Sequence, residues 1–141
     1  MTMGEISRWY GDYLTKSDRK KISGHYGLQA PVLESWLRSM SMLRNRCAHH
    51  NRLYGITVSG GFMIPKHIGN EGYLPLFNTI DRHGLYNLFM AMCYLADVIE
   101  RSDEKEKFIR NLISIKGKYG ISEGMLGFPE GISIQSLTDD I

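Results

Sequence analysis

The chain alternates between stretches in which apolar residues recur every three or four positions and stretches rich in glycine and proline. Recurrence of this kind is typical of helices that bury one face. It predicts a first helix over residues 3–15, with apolar positions at Ile6, Trp9, Tyr10 and Tyr13. A second short helix is expected from Ser17, which can cap its N-terminus, to Ile22, with Gly24 ending it.

The third predicted helix runs from Pro31 to about His50. Proline is well tolerated in the first helical turn, and Glu34 favours the positive end of the helix dipole. Asn51 is placed to close this helix in a left-handed conformation. Its apolar stripe consists of Val32, Leu33, Trp36, Leu37, Met40, Leu43 and Cys47.

Residues 51–82 interrupt the helical pattern with five glycines and two prolines. Within them "ITVSGGFMI" predicts either a small hairpin turning at Ser59 and the two glycines, or part of a long irregular loop. Connections of this length are often binding loops or lids, but they also serve as surface segments that cover helix ends. The sequence leaves both interpretations open.

Two further helices are expected in the second half of the chain. Residues 85–100 are strongly apolar and predict a buried helix, although they are too short for a membrane span and include Asn87 and Asp97. The charged stretch "RSDEKEK" predicts a solvated junction, followed by a helix over 106–116. Residues 117–141 predict an irregular tail. The fold class is therefore all-α, with one domain over 1–141.

Composition narrows the class of protein only slightly. The chain is 43% hydrophobic and 23% charged, which is typical of a soluble globular protein, and its net charge of +2 does not by itself indicate a nucleic-acid partner. Cys47 and Cys93 lie in apolar helical patterns without metal-ligand spacing, as expected for reduced thiols in a cytoplasmic protein. The first residues do not have the pattern of a signal peptide.

The chemistry-bearing residues concentrate in "LRNRCAHH", residues 43–50, and in the arginine that follows. The simpler interpretation is structural, because cations near a helix C-terminus each gain roughly 0.3–1 kcal/mol from the helix dipole. The residues concerned are Arg44, Arg46, His49, His50 and Arg52.

A second interpretation is a site that cleaves RNA without a metal. On a helix Asn45 and His49 are neighbours one turn apart, and Arg46 is also close to His49. Arg44 lies about 140° around the helix from His49 and about 7.5 Å along it, so the spacing does not choose between the two arginines. A histidine can take or give a proton near neutral pH, and an arginine can hold a phosphate with paired hydrogen bonds.

Other kinds of site are less well supported. A zinc site needs about four convergent ligands, whereas His49 and His50 point about 100° apart on a helix. Cys47 falls on the apolar stripe, which argues against a nucleophile, and no glycine-rich phosphate loop is present in the sequence. We therefore expect no metal site and no cofactor. The other histidines, at His25, His67 and His83, are scattered.

"LESWLRSMSMLRNRCAHHNRLYG" (33–55) resembles the signature of bacterial abortive-infection (Abi-like) proteins. In that signature a tryptophan-containing helix runs into an Arg-Asn-x-x-x-His-His segment followed by Arg-Leu. "TMGEISRWYGDYL" (2–14) and "HYGL" (25–28) also resemble the stretch that precedes the signature. The resemblance covers the first third of the chain well and the later helices only in general character.

The family belongs to the HEPN group of helical domains, whose active members are metal-independent ribonucleases with one composite site built from two facing motifs. The resemblance thus implies a HEPN-like helical bundle, a homodimer and RNA as substrate. It implies Arg44 as phosphate clamp, Asn45 as the residue that orients the site, and His49 as general acid or base. It also selects Arg44 over Arg46. The remaining candidates for substrate contacts are Arg46, His50 and Arg52.

The resemblance implies a cytoplasmic endoribonuclease of a phage-defence or toxin-type system, with an antitoxin as a candidate partner and no membrane contact. The alternative is a non-catalytic module of the same fold that binds RNA, a nucleotide or a protein. Family members usually have a substantial helical region upstream of the part where this chain begins. On that comparison the chain is expected to be the C-terminal portion of a longer member, or a truncated one.

Overall fold

The computed structural model describes residues 1–53, 56–58 and 61–140, and no strand occurs within these ranges. The all-α prediction is confirmed. A π-helical turn, Trp9–Tyr13, follows α1 directly, and two 3-10 turns cover Glu71–Leu76 and Glu123–Leu126. The α-helices are α1 (Met3–Arg8), α2 (Lys16–His25), α3 (Ala30–Ala48), α4 (Leu85–Val98), α5 (Ser102–Tyr119) and α6 (Leu137–Asp140).

The core is built where α3 meets α4. Trp36 of α3 is completely buried and makes ring contacts with Phe62, Phe77 and Tyr94 at centroid distances of 5.9–6.0 Å. Its indole N–H donates a 2.9 Å hydrogen bond to the carbonyl oxygen of Met63. Nine of the fourteen residues of α4 are buried, as the apolar run predicts. The α3–α4 contact therefore fixes the first half of α3 rigidly.

The long connection between α3 and α4 is part of the core. Its polar anchor is the pair Asn78 and Asn87, in which the Asn87 amide accepts from the Asn78 N–H at 2.7 Å and donates to its carbonyl oxygen at 2.8 Å. These contacts favour the interpretation of residues 51–82 as a segment that covers helix ends, and not the interpretation as a lid. The predicted hairpin is not present in 56–58 or 61–64, and its turn lies outside the described residues. The connection buries Val58, Phe62, Ile68, Tyr73 and Phe77.

The N-terminal helix differs from its predicted pattern. Of the four apolar positions expected to face the core, only Tyr10 is buried, whereas Trp9 and Tyr13 are exposed. The chain winds as a π helix over Trp9–Tyr13, so more residues fit into each turn and the 3.6-residue register used for the prediction is lost. The buried Tyr10 donates its hydroxyl to the carbonyl oxygen of Arg19 at 3.0 Å.

Two helix boundaries differ from the predicted ones because local hydrogen bonds decide them. α2 is capped by Thr15, whose hydroxyl accepts from the Asp18 N–H at 3.1 Å, and not by Ser17. α5 begins at Ser102 inside the charged stretch, where Asp103 and Glu104 favour the positive end of the dipole. The predicted junction is thus reduced to a few residues after α4.

The tail after α5 is irregular for most of its length but well packed. Phe128 packs edge-on against Tyr86 at a centroid distance of 4.6 Å, and the Asn78 amide donates to the carbonyl oxygen of Gly127 at 3.0 Å. Ile134 and Leu137 are also buried. The predicted irregular tail is thus packed as well, because its few apolar residues reach the α4 side of the core.

A buried ion pair joins α4 to α5. Lys105 is 8% exposed, and its ammonium group lies 2.8 Å from the carboxylate of Asp97. The Tyr73 hydroxyl and the Ser102 hydroxyl also donate to this carboxylate. Partial burial would raise the pKa of Asp97, but the hydrogen bonds and the charge of Lys105 outweigh it and hold that pKa below its ordinary value. Asp97 is therefore the polar centre of this junction.

Within the described ranges, every helix is too short or too polar to cross a lipid bilayer.

Candidate functional site

The candidate residues lie where α3 leaves the core. The buried side of α3 runs from Val32 to Leu43, and beyond Leu43 every residue up to Arg52 is exposed except the half-buried Arg46. Cys47 is exposed as well, so the prediction that it continues the apolar stripe was wrong. The last turns of α3 thus present their side chains to solvent.

The three predicted catalytic residues share this exposed end. Asn45 and His49 are one helical turn apart, and the His49 N–H donates to the Asn45 carbonyl oxygen at 3.1 Å, so the helical geometry persists through His49. Arg44 precedes Asn45 and is exposed. The side chains of Arg44, Asn45 and His49 are accessible to a large ligand without any movement of the core.

The predicted binding residues divide into two kinds. Arg46 is half-buried, and its guanidinium donates to the carbonyl oxygen of Arg52 at 3.4 Å, which links the helix to the segment that follows. His50 and Arg52 are exposed. Arg46 therefore helps to hold the segment after α3 against the helix, and Arg44 is exposed beside it.

A Schellman motif ends α3 and fixes the backbone beneath the site. The Asn51 N–H donates to the Arg46 carbonyl oxygen at 3.0 Å, and the His50 N–H donates to that of Cys47 at 3.1 Å. The left-handed residue is His50, with φ of 53°, and not Asn51 as predicted. A non-glycine residue in this region is strained, and histidine tolerates it better than most.

Replacing His50 by glycine is expected to stabilise the protein by roughly 0.5–1 kcal/mol, because glycine adopts a positive φ without steric cost. α4 offers a matched control. Its end has the same motif with Glu100 at φ of 57°, far from the candidate residues in sequence, so Glu100→Gly should give a similar gain. Thermal and denaturant unfolding of both variants measures the change in the free energy of unfolding.

If both glycine variants are less stable than the wild type, the left-handed strain is compensated by side-chain contacts and the prediction fails. A His50→Gly protein that is more stable and yet less active would show that His50 is kept for function. Glu100→Gly should gain stability without that loss.

Helix α1 approaches the same end of α3. A methyl group added at Gly4 would lie 3.3 Å from the Ser41 hydroxyl, and one added at Gly11 would lie 3.2 Å from the Glu34 carboxylate. The two helices are therefore antiparallel and in close contact. Asn45 lies one turn beyond Ser41 on the same side of α3, so the site adjoins the beginning of α1. The periodicity of the chain does not predict this proximity, although the glycines at positions 4 and 11 were a usable signal.

The described part of the chain contains no group of three or more histidine, cysteine, aspartate or glutamate residues arranged to hold a metal ion. A cleft of about 590 Å³ lies at the opposite end of α3, where Lys16, Arg19 and Lys20 face Pro31 and Glu34. Arg19 forms an ion pair with Glu34 at 3.3 Å there. This cleft is separate from the candidate residues.

Comparison with known proteins places the family signature on this part of the molecule. Residues 1–55 match the Abi-like protein family, which confirms the resemblance stated from the sequence. The matched segment contains α1, α2, α3 and all six candidate site residues. No curated protein and no solved structure matches the chain.

Proposed function

Since residues 1–55 carry the signature of the Abi-like protein family, we propose that this abortive-infection-type protein is a metal-independent endoribonuclease of the HEPN type. The observation that carries the proposal is the exposure of Arg44, Asn45 and His49 together at the end of α3, within the matched segment. A cytoplasmic role in phage defence or in a toxin system follows from the same proposal.

The environment of the two arginines supports Arg44 as the phosphate ligand. Arg46 is half-buried and bonded to the Arg52 carbonyl oxygen, whereas Arg44 is exposed beside Asn45. A guanidinium held by a loop carbonyl has fewer N–H groups to offer a phosphate. Arg44 binds the scissile phosphate and offsets the charge that develops on its oxygens in the transition state.

The chemistry uses the nucleophile that RNA itself carries. One His49 imidazole takes the proton of the 2′-hydroxyl, and the 2′-oxygen attacks the adjacent phosphorus. The bond from phosphorus to the 5′-oxygen breaks, and a second, protonated imidazole gives its proton to that oxygen. The products are a 2′,3′-cyclic phosphate and a 5′-hydroxyl. Asn45, one turn from His49, orients the imidazole.

Two imidazoles per site require two chains, since each chain supplies one His49. The end of α3 projects from the core, so two copies related by a two-fold axis can bring these ends together. The site is then composite, with Arg44 and His49 from each protomer. An antitoxin or other regulatory partner would act by keeping these ends apart or covered.

Incubation of the protein with labelled RNA in the presence of a chelator tests the proposal. We expect fragments with cyclic phosphate ends, and a specific activity that falls on dilution as the dimer dissociates. Salt-sensitive RNA binding without cleavage would instead indicate the non-catalytic module. Absence of both RNA binding and cleavage would contradict both functions.

A further inference from the structure

The cleft at the opposite end of α3 from the candidate residues has the size and the lining of a ligand site. Its volume of about 590 Å³ lies within the range of about 300–1,000 Å³ that is usual for pockets holding small molecules. Leu28, Ala30 and Pro31 give it an apolar wall. At about 1.5 Å per residue, α3 separates this cleft from His49 by roughly 28 Å, so its ligand is not the substrate of the proposed ribonuclease.

Helix α2 supplies the other wall through residues at helical spacing. Counted from the first of them, the residues recur at offsets of 3, 4, 7 and 8, which places them on one face of the helix. They are Lys16, Arg19, Lys20, Ser23 and Gly24. An amphipathic helix usually presents apolar side chains at such positions, but here three of the five are cations. The face that α2 turns towards the start of α3 is therefore positively charged.

Hydrogen bonds hold the two walls of the cleft in place without a ligand. The buried Tyr10 hydroxyl donates to the carbonyl oxygen of Arg19 at 3.0 Å and lies 3.4 Å from that of Ala30. The Nη1 group of Arg19 donates to the Gly11 carbonyl oxygen and to the Glu34 carboxylate, both at 3.3 Å. The cleft is therefore pre-formed, as small-molecule sites usually are.

The charges of the cleft favour an anionic ligand. Its lining contains three cations and one carboxylate, which leaves a net charge of +2; the residues concerned are Lys16, Arg19, Lys20 and Glu34. Glu34 is also paired with Arg38 at 3.1 Å, which weakens its repulsion of an anion. The Arg19 Nε–H is buried and has no acceptor within the part of the chain that the structure describes. Native proteins rarely leave such a donor unpaired, and an anion in the cleft supplies an acceptor for this guanidinium.

We propose that this cleft binds a small phosphate monoester with an apolar body. A phosphate monoester carries a charge of about −1.5 to −2 near neutral pH, which matches the lining, whereas a carboxylate carries a single charge. Lys16 and Lys20 lie one helical turn apart, so both ammonium groups reach the same phosphate. The cleft is larger than a bare phosphate ion needs. Leu28, Ala30 and Pro31 therefore contact the apolar part of the ligand.

Phenyl phosphate is the probe for this site, because it combines a phosphate group and an apolar ring in one small molecule. In calorimetric titrations it should bind the chain more tightly than inorganic phosphate, which lacks the ring, and more tightly than benzoate, which lacks the second charge. Its affinity should fall as salt is added, since exposed cations are screened. Equal affinity for either comparison compound, or no binding of phenyl phosphate at millimolar concentration, overturns the proposal.

A charge variant tests the cationic wall. Lys16→Gln combined with Lys20→Gln should weaken the binding of phenyl phosphate about ten-fold, as expected when ammonium groups no longer contact an anion. Lys21→Gln combined with Lys118→Gln is the matched control, because it removes the same charge from exposed positions outside the cleft. An equal loss in both double variants would show that only the net charge of the protein matters, and this would also overturn the proposal.

A steric variant tests the position of the ligand. A methyl group added at Gly24 would meet no heavy atom within 4 Å, and Gly24 lines the cleft. Gly24→Leu should therefore fill the cleft and exclude phenyl phosphate while the thermal unfolding temperature is not lowered. Gly117→Leu is the control, since Gly117 is also helical and has the same open space, but lies in α5. Binding that survives Gly24→Leu places the ligand elsewhere and contradicts the proposal.

These outcomes are independent of the proposed ribonuclease, because none of the six candidate site residues lines the cleft. Binding of phenyl phosphate should be the same in the wild type and in His49→Ala. A protein that binds the probe but cleaves no RNA supports the phosphate site and rejects the ribonuclease, and the reverse result rejects only the phosphate site.

Discussion

The His49→Ala protein is expected to cleave RNA at least 10²-fold more slowly than the wild type, and up to about 10⁴-fold more slowly, since proton transfer by a positioned side chain contributes that much. The loss should be larger at a composite site, where one substitution removes both imidazoles. Initial rates on a labelled single-stranded RNA in chelator measure it. Because His49 is exposed at a helix end, the unfolding midpoint should hardly change.

His67→Ala is the matched control for this experiment. His67 is also exposed, and its backbone carbonyl oxygen accepts a hydrogen bond from the Gln29 amide at 3.2 Å. Its replacement should leave the rate unchanged. Equal rates for wild type and His49→Ala would remove His49 from the mechanism, whatever happens to RNA binding.

The Asp97→Asn protein is expected to be less stable by about 3 kcal/mol, the lower end of the range for removing one partner of a buried ion pair. The substitution removes the carboxylate charge that lies 2.8 Å from the ammonium group of Lys105, which is only 8% exposed. The lower end applies because a quarter of the Asp97 side chain remains in solvent. Urea denaturation measures the change, and Glu106→Gln, which removes an exposed pair with Arg110, should cost less than about 1 kcal/mol.

A double variant provides the internal test of this explanation. Adding Lys105→Met to Asp97→Asn removes the buried ammonium group and replaces it by an apolar side chain of similar length. The double variant should therefore recover much of the lost stability. If it is as unstable as the sum of the two single variants, the two residues do not act as a pair.

The same pair sets the direction of the pH dependence. Because the folded protein holds the pKa of Asp97 below its unfolded value, this carboxylate contributes stability above the unfolded pKa. That contribution is lost as pH falls through the folded pKa. Below about pH 4 the wild type should therefore lose part of its advantage over Asp97→Asn.

The elements that the sequence predicted well are those in which one periodic pattern dominates. α3 and α4 have long apolar stripes, and both lie where they were expected. The register failed over residues 9–13, because a π turn has a different residue count and no local pattern announces it. The predicted start of α5 was also wrong. The charged run was interpreted as a break between helices, although its acidic residues favour the start of a helix.

The composition of the candidate site was predictable, but its surroundings were not. The spacing of Asn45 and His49 follows from helix geometry alone, and the structure keeps it. The burial of the last turns of α3 depends on whether distant segments reach them, above all α4 and the connection that precedes it. No pattern within residues 43–52 carries that information. The exposure of Cys47 shows the same limit, since this position has the spacing of the apolar stripe and is nevertheless left in solvent by the part of the chain that the structure describes.

The two halves of α3 are held in the molecule very differently. Its first half is anchored in the core through Trp36, while its last turns touch little of it. Under the proposed function, mutations in these turns would remove the activity without unfolding the protein, so inactive alleles would persist as folded protein. If the proposed ribonuclease activity is harmful to the cell that makes it, inactive variants recovered from selection should cluster in the codons for residues 43–52.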